Sequence, residues 1–123
     1  MHTVAVIGCG RISEIAHFPA LSKMEDVRIK YACDIIPGKA QQKKENFPKI
    51  ENTIEDYKTA LADPEVDTVF VLTPNYAHYT VTMDALAAGK NVFCEKPITV
   101  NYELSAKMKE AADKAGKILN IDV

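Results

Sequence analysis

The stretch Thr3-Val4-Ala5-Val6-Ile7-Gly8-Cys9-Gly10-Arg11-Ile12-Ser13 constrains the fold more than any other part of the chain. Its short, nearly all-apolar first half reads as a strand buried on both faces, the kind found inside parallel sheets. The strand runs into Gly8-x-Gly10, where the chain must turn sharply, and then into a segment of helical composition. Glycine at position 8 permits the turn. Glycine at position 10 lets backbone approach a bulky anion, because no Cβ stands in the way. The following helix points its unpaired N–H groups and the positive end of its dipole at the same place. Together these features predict a seat for a pyrophosphate, with Ser13 as the small residue that lets helix pack on strand.

A second strand, Val27–Cys33, ends in Asp34, which lies 21 positions past Ser13. An acidic residue about 20 positions on completes a dinucleotide fingerprint, its carboxylate accepting hydrogen bonds from ribose hydroxyls and repelling a 2′-phosphate. The alternative is that Asp34 only opens the turn Asp34-Ile35-Ile36-Pro37-Gly38. Lys39, close by in sequence, keeps NADP open beside NAD.

Strands and helices alternate along the rest of the chain. The segment Arg11–Met24 reads as helix, split or kinked at Pro19. Pro37–Asn46 reads as a polar helix with Lys39, Lys43 and Lys44 on a hydrated face. A short strand is expected near Ile50, and Thr53-Ile54-Glu55-Asp56 has the form of a capping box opening a helix to about Ala62. Asp67–Leu72 is another doubly buried strand. Asn75 caps a helix over 76–88 that Gly89 ends, and Asn91–Cys94 is the next strand. Asn101 caps a last helix with the apolar stripe Leu104, Met108, Ala111 and Ala115, flanked by the pairs Glu103/Lys107 and Glu110/Lys114. Lys117–Asp122 is the final strand. This alternation predicts an α/β fold, a doubly wound parallel sheet with right-handed crossovers, in one domain over residues 1–123. Ligands of such sheets bind past the carboxyl ends of the strands at the switch point, among the loops Gly8–Ser13, Asp34, Thr73–His78 and Glu95–Pro97.

With 15 basic and 17 acidic residues scattered along 123 positions, nothing suggests a nucleic-acid footprint or a membrane anchor. No apolar run is as long as a membrane span, and Met1-His2 leads straight into a strand without a secretory signal. Three well-separated cysteines, Cys9, Cys33 and Cys94, predict reduced thiols in a cytoplasmic protein. All three fall at strand ends, where they approach one edge of the sheet. With no C-x-x-C pair and no fourth ligand, they read as small buried apolar residues, and no metal site is expected.

Three segments carry a family resemblance: Gly8-Cys9-Gly10-Arg11-Ile12-Ser13, Thr73-Pro74-Asn75-Tyr76-Ala77-His78, and Ala88-Gly89-Lys90-Asn91-Val92-Phe93-Cys94-Glu95-Lys96-Pro97. In order and spacing they resemble the glucose–fructose oxidoreductase, inositol dehydrogenase and MocA-like family over essentially the whole chain. The resemblance implies a Rossmann domain binding NAD or NADP, and hydride transfer to or from a hydroxyl carbon of a sugar, polyol or related small-molecule substrate. It places Gly8, Gly10, Arg11, Ile12, Thr73, Asn75 and His78 with the cofactor. Lys96 matches the family's active-site lysine, Glu95 its neighbour, and Pro97 the residue fixing that loop.

A lysine beside a cationic nicotinamide ring, partly desolvated, loses its proton more readily than one in water, so Lys96 suits the acid/base that alcohol oxidation requires. A solvated loop lysine is the alternative. Asn75 serves equally as a helix cap, and His78 as decoration of the first turn. Family members carry a second α/β domain that supplies most of the substrate pocket and usually the oligomer interface, so a homo-oligomer is expected. The chain ends at Val123 without that domain. Two functions follow: the cofactor half of a nicotinamide-dependent dehydrogenase, which Glu95-Lys96-Pro97 favours, or a dinucleotide-binding or sensing module without catalysis.

Overall fold

The computed structural model describes residues 2–8, 18–36, 38–72, 75–94 and 102–121, by backbone alone at 75–78, 102–105, 120 and 121. Six strands, β1 (His2–Ile7), β2 (Val27–Cys33), β3 (Asn52–Ile54), β4 (Thr68–Val71), β5 (Asn91–Cys94) and β6 (Leu119–Ile121), form one sheet in the order β3-β2-β1-β4-β5-β6. Every adjacent pair is parallel. The order reverses between β1 and β4, which is the switch point of a doubly wound fold.

Strand alternation sorts the core into two layers. In β1, Val4 and Val6 face one layer with Phe18, Leu21, Ile29, Ala40 and Ile50, whereas Ala5 and Ile7 face the other with Val69, Val71, Val92 and Met108. Helices α1 (Phe18–Lys23) and α2 (Lys39–Asn46) supply the first layer; α4 (Asn75–Ala87) and α5 (Tyr102–Ala115) supply the second. One irregularity matters for the site. The β1–β2 register passes from Val4↔Ile29 to Ala5↔Tyr31, so Lys30 is an extra residue in β2. This bulge inverts the facing of everything after it, and puts Cys33 on the same layer as Ile7.

Several sequence expectations are corrected. Thr53 and Ile54 do not open a helix: both lie in β3, because Ile54 pairs with Cys33 at the sheet edge. Helix α3 (Tyr57–Leu61) starts later, capped by Asp56, whose carboxylate accepts from the Lys58 N–H at 2.9 Å. Pro19 stands in the first turn of α1, where its missing N–H costs no hydrogen bond; residues 9–17 lie outside those described. Lys43 and Lys44 do not form a hydrated face. Lys43 is buried, and the Lys44 ammonium donates to the carbonyls of Ile50 and Glu51, tying α2 to the approach to β3. In α5, Met108 and Ala111 face the core as expected, joined by Ala112, while Ala115 in the last turn is exposed; the Leu104 side chain lies outside those described. Glu110 and Lys114 pair as expected at 3.3 Å.

Asn75 is the first residue of α4 rather than its cap. Gly89 does end that helix: at φ 79° its N–H bonds to the Leu86 carbonyl and the Lys90 N–H to that of Ala85, the double closure of a Schellman stop.

Candidate functional site at the carboxyl rim of the sheet

Four central strands finish in one row: Cys33 of β2 pairs with Ile7 of β1, Ile7 with Val71 of β4, and Val71 with Cys94 of β5. The chain therefore leaves all four strands at the same rim. Gly8 follows Ile7 there, buried, with φ 102°, a conformation that a side chain makes costly. Its N–H donates to the Cys33 carbonyl at 2.7 Å. The turn after β1 is thereby fastened to the residue before Asp34. On the other side, the Leu72 N–H donates to the Ile7 carbonyl at 2.8 Å and carries the chain toward position 73 beside the same turn.

Asp34 is half-buried, and its N–H donates to the Ile54 carbonyl at 3.1 Å. One carboxylate oxygen accepts from the Ile36 N–H at 2.9 Å, so Asp34 does open the turn that follows it. A carboxylate has about four acceptor positions, so accepting from the Ile36 N–H does not preclude accepting from a ligand hydroxyl as well. The two roles weighed for Asp34 are compatible.

Of the residues assigned to the site from sequence, Gly8 and Asp34 are brought together. Gly10, Arg11, Ile12, Thr73, Glu95, Lys96 and Pro97 lie outside the described residues, and Asn75 and His78 are described only as helical backbone of α4. The strand preceding Glu95 ends with Cys94 in the common row.

Of the three cysteines, the two described ones do not converge. Cys33 and Cys94 occupy β2 and β5, three strand spacings or ~14 Å apart; Cys9 lies outside the described residues. Both thiols are buried, and burial pushes Cys33 up to about 12 and Cys94 up to about 11. They are protonated at neutral pH and unsuited to nucleophilic or ligand roles. The Cys94 sulfur instead lies 2.9 Å from the Thr82 hydroxyl of α4. Among the described residues no His, Cys, Asp and Glu group could hold a metal ion.

A cleft of about 360 Å³ opens beside Asp34, lined by Ile36, Gly38, Gln41, Thr53 and Glu55. The sequence reading missed it because the helix expected at Thr53 removed these residues from the rim. The signal was available: treating Asn52–Ile54 as a strand puts Glu55 at a strand's carboxyl end.

The rim fits a dinucleotide on its own terms. A backbone turn that requires glycine sits at the switch point, with a carboxylate on the neighbouring strand. Residues 2–123 match the model of the oxidoreductase family with an NAD-binding Rossmann fold, the glucose–fructose oxidoreductase, inositol dehydrogenase and MocA group. The chain belongs to this family. It is 36% identical over 115 residues to an inositol 2-dehydrogenase/D-chiro-inositol 3-dehydrogenase of Lactiplantibacillus plantarum, covering 93% of this chain and 33% of the relative. It is 33% identical over 119 residues to a D-glucoside 3-dehydrogenase of Escherichia coli, covering 97% and 34%. Among solved structures, KijD10, a 3-ketoreductase from Actinomadura kijaniata in complex with NADP and TDP-benzene, superposes with a TM-score of 0.91 at 29% identity. That match covers 98% of this chain and 37% of that one. The chain spans about a third of the length of the curated relatives it matches. No described helix is long and apolar enough to cross a membrane.

Proposed function

We propose that residues 1–123 form one dinucleotide-binding unit, the cofactor half of a nicotinamide-dependent oxidoreductase that acts on a hydroxyl carbon of a sugar, polyol or related substrate. The observation that carries this reading is the Gly8 turn, held in a glycine-only conformation by its bond to Cys33 and set beside Asp34 at the switch point. In this reading Gly8 and Gly10 seat the pyrophosphate, with Arg11 and Ile12 beside it at the start of the following segment. Asp34 accepts from the adenosine ribose hydroxyls, which favours NAD over NADP. Thr73, Asn75 and His78 border the cofactor on the β4 side. The bound nicotinamide supplies the hydride acceptor or donor.

Lys96 acts as the acid/base: its neutral amine takes the hydroxyl proton as the carbon gives up hydride, and returns it in the reverse direction. Glu95 and Pro97 fix the loop that carries it. The relatives named above are an inositol and a glucoside dehydrogenase, which supports a polyhydroxylated substrate. A second α/β domain of the kind the family carries would complete the substrate pocket and a homo-oligomer interface. Two buried, reduced thiols suit a cytoplasmic setting.

The test is Lys96→Met in the catalytically competent protein. Turnover is expected to fall by ~10²–10⁴ while NAD affinity stays near wild type. Equal loss of both would show that Lys96 binds the cofactor rather than moving the proton.

A further inference from the structure

We propose that Glu55 is a second determinant of cofactor choice: it closes the cleft beside Asp34 to a ribose 2′-phosphate and holds the chain to NAD. This inference rests on the cofactor reading above and deepens it.

The placement follows from the strands. Ile54 pairs with Cys33 and its carbonyl accepts from the Asp34 N–H, so Glu55 leaves β3 one strand spacing, ~4.8 Å, from where Asp34 leaves β2. A dinucleotide at the β1–β4 switch lies on the β1 side of Asp34. A substituent on the ribose 2′-oxygen, the atom Asp34 would hold, would have to pass Asp34 on the β3 side, where the cleft lies. At about 360 Å³, against ~30 Å³ for a water molecule in the liquid, the cleft has room for a phosphate. The Thr53 hydroxyl meets the Gln41 side-chain oxygen at 3.3 Å and links β3 to α2 across it. Size does not exclude the phosphate. Charge must decide.

The two walls oppose one another. On the α2 side, Gly38 at φ 86° is an N-cap without a side-chain hydrogen bond, leaving the positive end of the helix dipole facing the cleft. That end is worth about half a unit charge. Lys39 follows it, but lines a neighbouring depression together with Glu45, a charge of opposite sign. This wall alone would tolerate a phosphate. Facing it, Glu55 adds a whole negative charge to that of Asp34. Glu55 is exposed, and among the described residues no hydrogen bond or ion pair engages its carboxylate. Its charge is therefore not neutralised within the described fold, and replacing it breaks no hydrogen bond or ion pair among the described residues.

Isothermal titration of wild type, Glu55→Gln and Glu55→Lys with NAD and with NADP tests this, with circular dichroism confirming the fold of each. Wild type should bind NAD at least about tenfold more tightly than NADP. Glu55→Gln should shrink that ratio by about threefold or more, and Glu55→Lys by ~30-fold or more, because one repulsion is removed and then replaced by an attraction. A ratio that stays within ~2-fold of wild type in both variants, while NAD still binds, overturns the role of Glu55 and leaves the cofactor reading standing. A wild type that prefers NADP overturns it as well. No heat from either dinucleotide would remove the cofactor reading and this inference with it.

Discussion

The two rims of the sheet are built from similar residues and treat them in opposite ways. At the amino rim, polar groups satisfy one another. Asp67 accepts from the Thr3 N–H and donates its own N–H to the Thr3 carbonyl, while its carbonyl receives the Asn91 N–H. Arg28 bonds Glu51 and Glu65, and Lys30 pairs with Asp63 and Glu65. Even Lys90, buried, spends its ammonium on the Asp63 carbonyl at 2.8 Å, and burial lowers its pKa. At the carboxyl rim, by contrast, a glycine turn at positive φ, a half-buried carboxylate and a cleft with an exposed glutamate surround open volume. One rim is closed by the chain's own partners. The other is shaped for a partner from outside. In the proposed reading, the ligand sits at the rim that the chain's own hydrogen bonds and ion pairs leave more open.

Substitutions should separate the rims. The largest effect is expected from Gly8→Val. A β-branched side chain at φ 102° costs on the order of 1–3 kcal/mol in backbone strain and would intrude on the proposed pyrophosphate seat. NAD affinity measured by calorimetry should fall by at least about tenfold, more than the change in melting temperature would imply. Retained affinity would break the assignment of this rim. Next comes Asp67→Ala, which strips the buried Thr3 N–H of its side-chain acceptor. Chemical denaturation should show a loss of about 1–3 kcal/mol, with NAD affinity unchanged within ~2-fold. A parallel loss of affinity would mean that the rims are coupled rather than divided.

The smallest expected effect is one of pH. The Lys30 ammonium, with help from the Glu65 N–H and the Tyr31 hydroxyl, holds the Asp63 carboxyl down to about 2. A depressed folded-state pKa stabilises the fold above the ordinary carboxylate range and is lost as pH falls through the folded value. Stability should therefore decline from about pH 4 down to about 2, and Asp63→Asn should flatten that decline. An unchanged profile in the variant would show that the Lys30–Asp63 pair contributes nothing measurable.

How far the sequence alone revealed this follows from the same division. β1 and β4 were legible because strands buried on both faces are continuous apolar runs, and Gly89 marked a helix end because glycine takes the left-handed φ of 79° found there. The α3 region misled. Thr53-Ile54-Glu55-Asp56 has capping-box spacing, but the pairing of Ile54 with Cys33 across 21 residues of sequence outweighed that local signal. The bulge at Lys30 left no trace in composition, yet it sets which way Cys33 and the following Asp34 face. Lys43 and Lys44 read as solvated because lysine usually is; only the tertiary fold brings the carbonyls of Ile50 and Glu51 within reach of Lys44. At the proposed site, Gly8 and Asp34 stand out in the sequence through fixed spacing in one local unit. Glu55 does not, because its proximity to Asp34 is made by the sheet.

The most direct measurement of the central claim is a titration of the isotopically labelled protein with NAD, followed by amide chemical shifts. The account predicts saturable shifts at Gly8, Cys33, Asp34, Leu72 and Cys94, with Thr3, Asp67 and Lys90 unmoved. Shifts concentrated at Thr3, Asp67 and Lys90, or none anywhere at saturating nucleotide, would contradict it.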